Sequence, residues 1–254
     1  MDPTERFVAL VQRSSREIAL AEAALCIAGH DHTVDVDEHL GALDALAAGT
    51  PDPEHLAEYL FTTCGFTGNV EDYLDPGNSY LDAVLTRRVG IPITLSVVMI
   101  EVGRRIDVEI AGIGMPGHFL VRDAAGTYFD PFHGGARLDE DGCRHLFETM
   151  HGRASFAPRY LDPVDDRSIL ARMLANLTRS FVERRPRDAL WAVRLRGAIP
   201  GLSVADRRHD ATVLGSLGRF GEASSLLAAL ATEVDAAGAD ELLRESAAYR
   251  ARAN

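Results

Sequence analysis

Two residues with the chemistry of a catalytic pair stand twelve positions apart: His118 in "IGMPGHFLVR" and Asp130 in "YFDPFHGG". An imidazole oriented by a carboxylate holds one tautomer and accepts a proton from a nucleophile, as a general base does in acyl transfer. Such a pair is half of a nucleophilic site. The other half must be a hydroxyl or thiol brought to it by a different element.

The elements that would position the pair are short, β-prone segments. "VEIAGIGM", "HFLVRD" and "TYFDPF" are punctuated by Gly, Pro and "DAAG", so they read as antiparallel strands with a tight turn at Asp123 to Gly126. A hairpin there sets residue 118 within about one position of facing residue 130. Ahead of them, "IPITLSVVMIEVGRRI" is apolar on nearly all sides and carries Pro92 where a first-turn proline is tolerated, which predicts a buried helix. Upstream, "TERFVALVQRSSREIALAEAALCIAG" with Thr4 as N-cap, "VDEHLGALDALAAG" and "PEHLAEYLFTTCG" have helical spacing, giving three helices before residue 66. A loop-rich segment with a short helix from about Ser79 follows them.

From Asp166 the pattern is helical again. "RPRDALWAVRLRGAIPG" and "GRFGEASSLLAALATEV" align with Ala189 over Ala223, a shift of 34 residues, the period of tetratricopeptide helix pairs. The polar, Pro-bearing stretch 157–166 reads as a linker. The expected division is therefore 1–160 and 166–254.

Composition narrows the function classes. The 254 residues are 46% hydrophobic, enough for a sizeable core, and no run is long and apolar enough for a membrane span. The net charge is −12, with 12 acids against 3 Arg in residues 1–60 and 11 against 14 in residues 166–254, so the amino-terminal part would repel nucleic acid. All 26 basic residues are Arg, which excludes a Walker-type, Schiff-base or general-base lysine. Three cysteines without metal-site spacing predict free thiols and a cytoplasmic protein.

"GNSYLDAVLTRRVGIPITLSVVMIEVGRR", then "IGMPGHFLVR" and "YFDPFHGG", resemble the SirB-type transglutaminase-like family, whose members join such a core to a tetratricopeptide-like segment. The resemblance covers roughly residues 5–250. It implies an α+β fold: a papain/transglutaminase-like core with a buried helix on a small antiparallel sheet, a helical amino-terminal portion and a tetratricopeptide-like carboxy-terminal domain. It also implies a Cys at the start of the buried helix, with His118 and Asp130 in the His and Asp positions.

That helix has no Cys. A thiolate at a helix N-terminus is stabilised by unpaired N–H groups and a neighbouring imidazolium, and a hydroxyl gains far less. Thr94 and Ser96 lie in the first turns but point about 200° apart, so at most one faces His118. Thr94 is nearer the family's Cys position, and either residue could equally be a helix cap. The cysteines lie in unrelated segments: Cys64 reads as a buried small hydrophobe, Cys26 lies on an apolar helical face and Cys143 follows "DEDG" in a loop or helix start. Asn78 and Tyr80 in "GNSYL" match a family block and would either bind a ligand carbonyl or orient a loop.

Two other clusters carry less. His30, His32 and His39 lie among acids in "GHDHTVDVDEH", but their spacing fits no closed metal site. "GIGMPG" lacks the GxGxxG spacing and a following helix. No metal or other cofactor is expected. The reading is a transglutaminase-like protein without its Cys nucleophile, serving as a peptide- or protein-binding or regulatory module with no nucleic-acid or membrane partner. The alternative is a hydrolase or acyl transferase in which Thr94 or Ser96 attacks with His118 and Asp130. The oligomeric state stays open.

Overall fold

The computed structural model describes residues 2–14, 17–152 and 154–253. It divides into two compact units, 1–173 and 174–254.

In the first unit, α1 (Pro3–Val11), α2 (Leu20–Ala28) and α3 (Val36–Ala48) are followed by a helical stretch: a 3₁₀ turn at Pro53–His55, α4 (Leu56–Glu58) and a π turn at Tyr59–Thr63. The expected continuous helix from Thr4 is therefore two helices, with residues 15 and 16 outside the described residues. Its N-cap is Asp2, whose carboxylate accepts from the backbone N–H of Thr4 and Glu5. The side-chain periodicity does run on through residues 12–19, but the helix stops at Val11. A 3₁₀ turn at Pro76–Ser79 leads into α5 (Leu81–Arg87).

The buried helix is α6 (Pro92–Arg105), with every residue from Pro92 to Gly103 buried. Burying a Val or Ile completely is worth about 1.5–3 kcal/mol, and α6 contributes five such side chains, Ile93, Val97, Val98, Ile100 and Val102. Its one buried charge, Glu101, pairs with Arg104 and Arg105 one turn on; these in turn reach Asp166 and Asp44.

The sheet has five antiparallel strands in the order β6-β5-β4-β3-β7: β3 (Ile110–Ile113), β4 (Leu120–Asp123), β5 (Tyr128–Asp130), β6 (Ala136–Leu138) and β7 (Pro163–Val164). Two residues more, β1 (Thr67–Gly68), pair in parallel with β2 (Val89–Gly90) outside it. Helix α6 lies against β3 and β4. Ile113, Leu120 and Tyr128 join Cys143 and Phe147 of α7 (Glu140–His151) in one apolar cluster. The stretch 157–166, read from sequence as a linker, holds a 3₁₀ turn and β7, which closes the sheet edge against β3.

Helix α8 (Asp166–Arg184) starts in the first unit and ends in the second. The second unit continues with α9 (Ala189–Gly197), α10 (Val204–Ser216), α11 (Phe220–Leu230) and α12 (Ala236–Ala253). Ala189 and Ala223, the residues aligned by the 34-residue shift, are both fully buried in first turns. Among the described residues, no helix is long and apolar enough to cross a membrane.

Candidate functional site

The hairpin that joins β4 to β5 pairs Val121 with Phe129 and Arg122 with Tyr128, and its turn closes with the Gly126 N–H donating to the Asp123 carbonyl. Continuing that register sets Leu120 opposite Asp130, with His118 two residues beyond, a diagonal step longer than the single position expected. His118 Nε2 stands 2.9 Å from Asp130 Oδ1, and both side chains are almost wholly buried. An ionised carboxylate only accepts, so Nε2 carries a proton and donates it. Among the described residues Nδ1 has no hydrogen-bond partner.

Three local devices fix His118. The turn ahead of it has the His118 N–H donating to the Met115 carbonyl. Gly117 takes φ +78°, and a Cβ there would lie 2.7 Å from His151 Nε2, so only glycine suits the position. Arg172 of α8, largely buried, donates from Nη2 to the carbonyls of both Met115 and His118 at 2.7 Å. Sequence reasoning missed Arg172, since nothing local links it to a residue 54 positions away.

Asp130 does more than orient one imidazole. Oδ1 also accepts from the backbone N–H of Phe132 and His133, capping the 3₁₀ turn Pro131–His133. Oδ2 accepts from His133 Nδ1 at 2.7 Å. Burial alone would raise this carboxyl, but hydrogen bonds and charge from His118 and then His133 win and hold it below the ordinary aspartate value. A lowered value means that the stability contributed by ionised Asp130 is present above the unfolded value of about 4 and is lost as pH falls through the folded one. We therefore expect the gap in urea midpoint between wild type and Asp130→Asn to shrink as pH falls below about 4; a gap that keeps its full size down to about pH 2 would contradict the assignment.

His133 was also missed, although "DPFH" carries a signal for it: an Asp that caps a tight turn brings the residue three positions on beside its carboxylate. The His133 ring stacks near that of His118, with centroids 5.7 Å apart. Phe132 meets His118 edge to face at 6.2 Å and Tyr73 at 5.9 Å, so a row of rings leads from the buried pair to the half-exposed Tyr73. Gly68 of β1 permits this approach, since a Cβ would fall 2.5 Å from the Phe132 ring.

The candidate nucleophiles are bonded elsewhere. The Thr94 hydroxyl donates to the Asn78 carbonyl at 2.7 Å and accepts from the Ile91 N–H at 3.1 Å, linking the 76–79 turn to the start of α6. The Ser96 hydroxyl donates back to the Pro92 carbonyl at 2.8 Å. Both are fully buried, and among the described residues neither hydrogen-bonds to His118. Among the described residues none of the three thiols hydrogen-bonds to His118 either; Cys26 and Cys143 are buried, whereas Cys64, read from sequence as a buried small hydrophobe, is only half-buried. Burial pushes Cys26 up to about 11 and Cys143 up to about 12, with acids including Asp139 and Asp130 adding to the latter, so neither is a thiolate near neutral pH.

Asn78 is fully buried and holds the loop: its amide donates to the carbonyls of Asp72 and Tyr73 while its oxygen accepts from Asn69 and Arg87. Its side chain therefore has no spare donor for a ligand. Tyr80 is buried with its ring edge on His32. The acidic histidine stretch disperses, with His30 on Thr4 and Cys26, His32 on Asp82 and His39 on Asp35.

A sequence profile of the transglutaminase-like superfamily matches residues 32–175. A UPF0162 protein of Xylella fastidiosa is 37% identical over 180 residues, 64% of each chain, and a UPF0162 protein of Pseudomonas aeruginosa is 32% identical over 172 residues, 63% of each. F-box only protein 21 of Mus musculus is 33% identical over 129 residues, 46% of this chain and 20% of that protein. The chain thus spans just under two thirds of the length of these bacterial relatives. No solved structure matches.

Proposed function

The chain belongs to the transglutaminase-like superfamily, and on that premise we propose that it is a member whose site grips a peptide or protein segment instead of turning one over. One observation carries the reading: the hydroxyls of Thr94 and Ser96 are bonded to backbone groups, which leaves His118 Nδ1 with no group to deprotonate. General-base catalysis needs base and nucleophile within about 3 Å of each other, and here the base stands without a nucleophile. The rings of Phe132 and Tyr73 beside His118 suit an extended segment that buries an apolar or aromatic side chain.

The finer assignment is to a SirB-type protein, with residues 1–160 as the transglutaminase-like domain and 166–254 as a tetratricopeptide-like domain that recruits a protein partner. The pairs α9/α10 and α11/α12 support the latter, each with a buried Ala in the first turn of its first helix. A module of this kind also suits a segment that recurs as a fifth of a longer mouse protein. Free cysteines fit the cytoplasm, and the acidic charge argues against a nucleic-acid partner.

Panning a random peptide library over the full chain tests the proposal. We expect enriched peptides that bind wild type in calorimetry and lose tenfold or more with Phe132→Ala, roughly the loss of one buried aromatic contact. No enrichment, or binding indifferent to Phe132 and Tyr73, would count against it.

A further inference from the structure

The geometry points to a transition-metal site formed by His118, Asp130 and His133, of the class that takes Zn²⁺ or Co²⁺. Among the described residues these are the only three His, Cys, Asp or Glu side chains whose ligand atoms all lie within 4.8 Å of one another. Two imidazoles and one carboxylate favour Zn²⁺, Co²⁺ or Fe²⁺ over the all-oxygen preference of Mg²⁺ and Ca²⁺. Three protein ligands leave at least one coordination position for water or a bound group, the arrangement of an open site.

The proton balance of binding is simple. Each imidazole now gives its N–H to a different oxygen of Asp130, His118 through Nε2 and His133 through Nδ1. A cation that takes those two nitrogens replaces both hydrogen bonds; a singly protonated ring moves its proton to its other nitrogen, and a doubly protonated ring releases one to solvent. Both destinations are open: His118 Nδ1 has no partner among the described residues, and the His133 side chain is 55% exposed, on the solvent side.

Rigid and movable parts are suitably divided. His118 and Asp130 are buried, and Asp130 is held by the backbone N–H groups of Phe132 and His133. Outer contacts of this kind fix a ligating carboxylate before the metal arrives. Donor atoms around tetrahedral Zn²⁺ lie roughly 3.3 Å apart, so from separations of up to 4.8 Å the site must tighten by up to about 1.5 Å. His133 can supply that movement, because it ends a three-residue turn and is followed by Gly134 and Gly135, at φ +69° and +72°.

This inference is independent of peptide binding, since titration and panning can succeed or fail separately. The test uses the full chain stripped with a chelator and titrated with Co²⁺, then with Zn²⁺ as competitor. We expect a visible d–d band that saturates at one equivalent, its displacement by Zn²⁺, and a Zn²⁺-dependent rise in melting temperature. His133→Ala and His133→Gln, folded by circular dichroism, should weaken binding by more than the roughly 10- to 100-fold that losing an outer contact costs, and abolish the rise, while His39→Ala leaves both unchanged. A missing band, a band unaltered in both His133 variants, or a loss in His39→Ala would overturn the site.

Discussion

Asp130→Ala is expected to destabilise the first unit by roughly 3–5 kcal/mol, because it leaves several buried donors without their acceptor at about 1–3 kcal/mol each, and so to lower its melting temperature by roughly 10 °C. The substitution removes at once the acceptor for His118 Nε2, for His133 Nδ1 and for two backbone N–H groups. A buried imidazole N–H without a partner is left behind, and the 131–133 turn loses its cap. Asp130→Asn separates the two roles. Its amide oxygen can still accept from Phe132 and His133 N–H, so it should recover the cap while losing the charge that holds two imidazoles. Recovery of more than half the lost stability by Asn would identify capping as the larger contribution. Equal destabilisation by Ala and Asn would assign it to the carboxylate's hold on the two imidazoles instead.

Thr94→Val should lower stability by roughly 2–4 kcal/mol, because it leaves the Asn78 carbonyl and the Ile91 N–H buried without partners at about 1–3 kcal/mol each. Val has nearly the shape of Thr, so little of this can come from a cavity. Thr94→Ser keeps donor and acceptor and loses only a methyl group, so it should return most of the stability. Chemical denaturation of the three proteins reads the difference. A Thr94→Val protein as stable as wild type would mean that the hydroxyl is not structural, and would reopen its assignment as a nucleophile.

The sequence revealed those parts whose signals are local. Pro92 followed by an unbroken apolar run announced α6, and "DAAG" between two β-prone segments announced the β4–β5 hairpin and brought His118 towards Asp130. The parts it concealed depend on distant partners. Strands of two or three residues such as β1, β6 and β7 have no periodicity of their own and exist because another strand supplies their hydrogen bonds. The break after Val11 and the loop-holding role of Asn78 are likewise decided by tertiary contacts. The absence of a Cys in "IPITLSVVMIEVGRR" was plain, but that Thr94 would be bonded to a carbonyl 16 residues earlier was not.

The central claim is that the His118–Asp130 pair has no nucleophile to activate, and reaction with electrophilic acyl probes tests it most directly. The folded chain is incubated with a fluorophosphonate and, separately, with a chloroacetamide, and modified residues are mapped by mass spectrometry in wild type and His118→Gln. The account predicts no adduct on Thr94 or Ser96, and any cysteine adduct forming at the same rate in both proteins. An adduct on Thr94, Ser96 or a cysteine that forms in wild type and disappears in His118→Gln would contradict it.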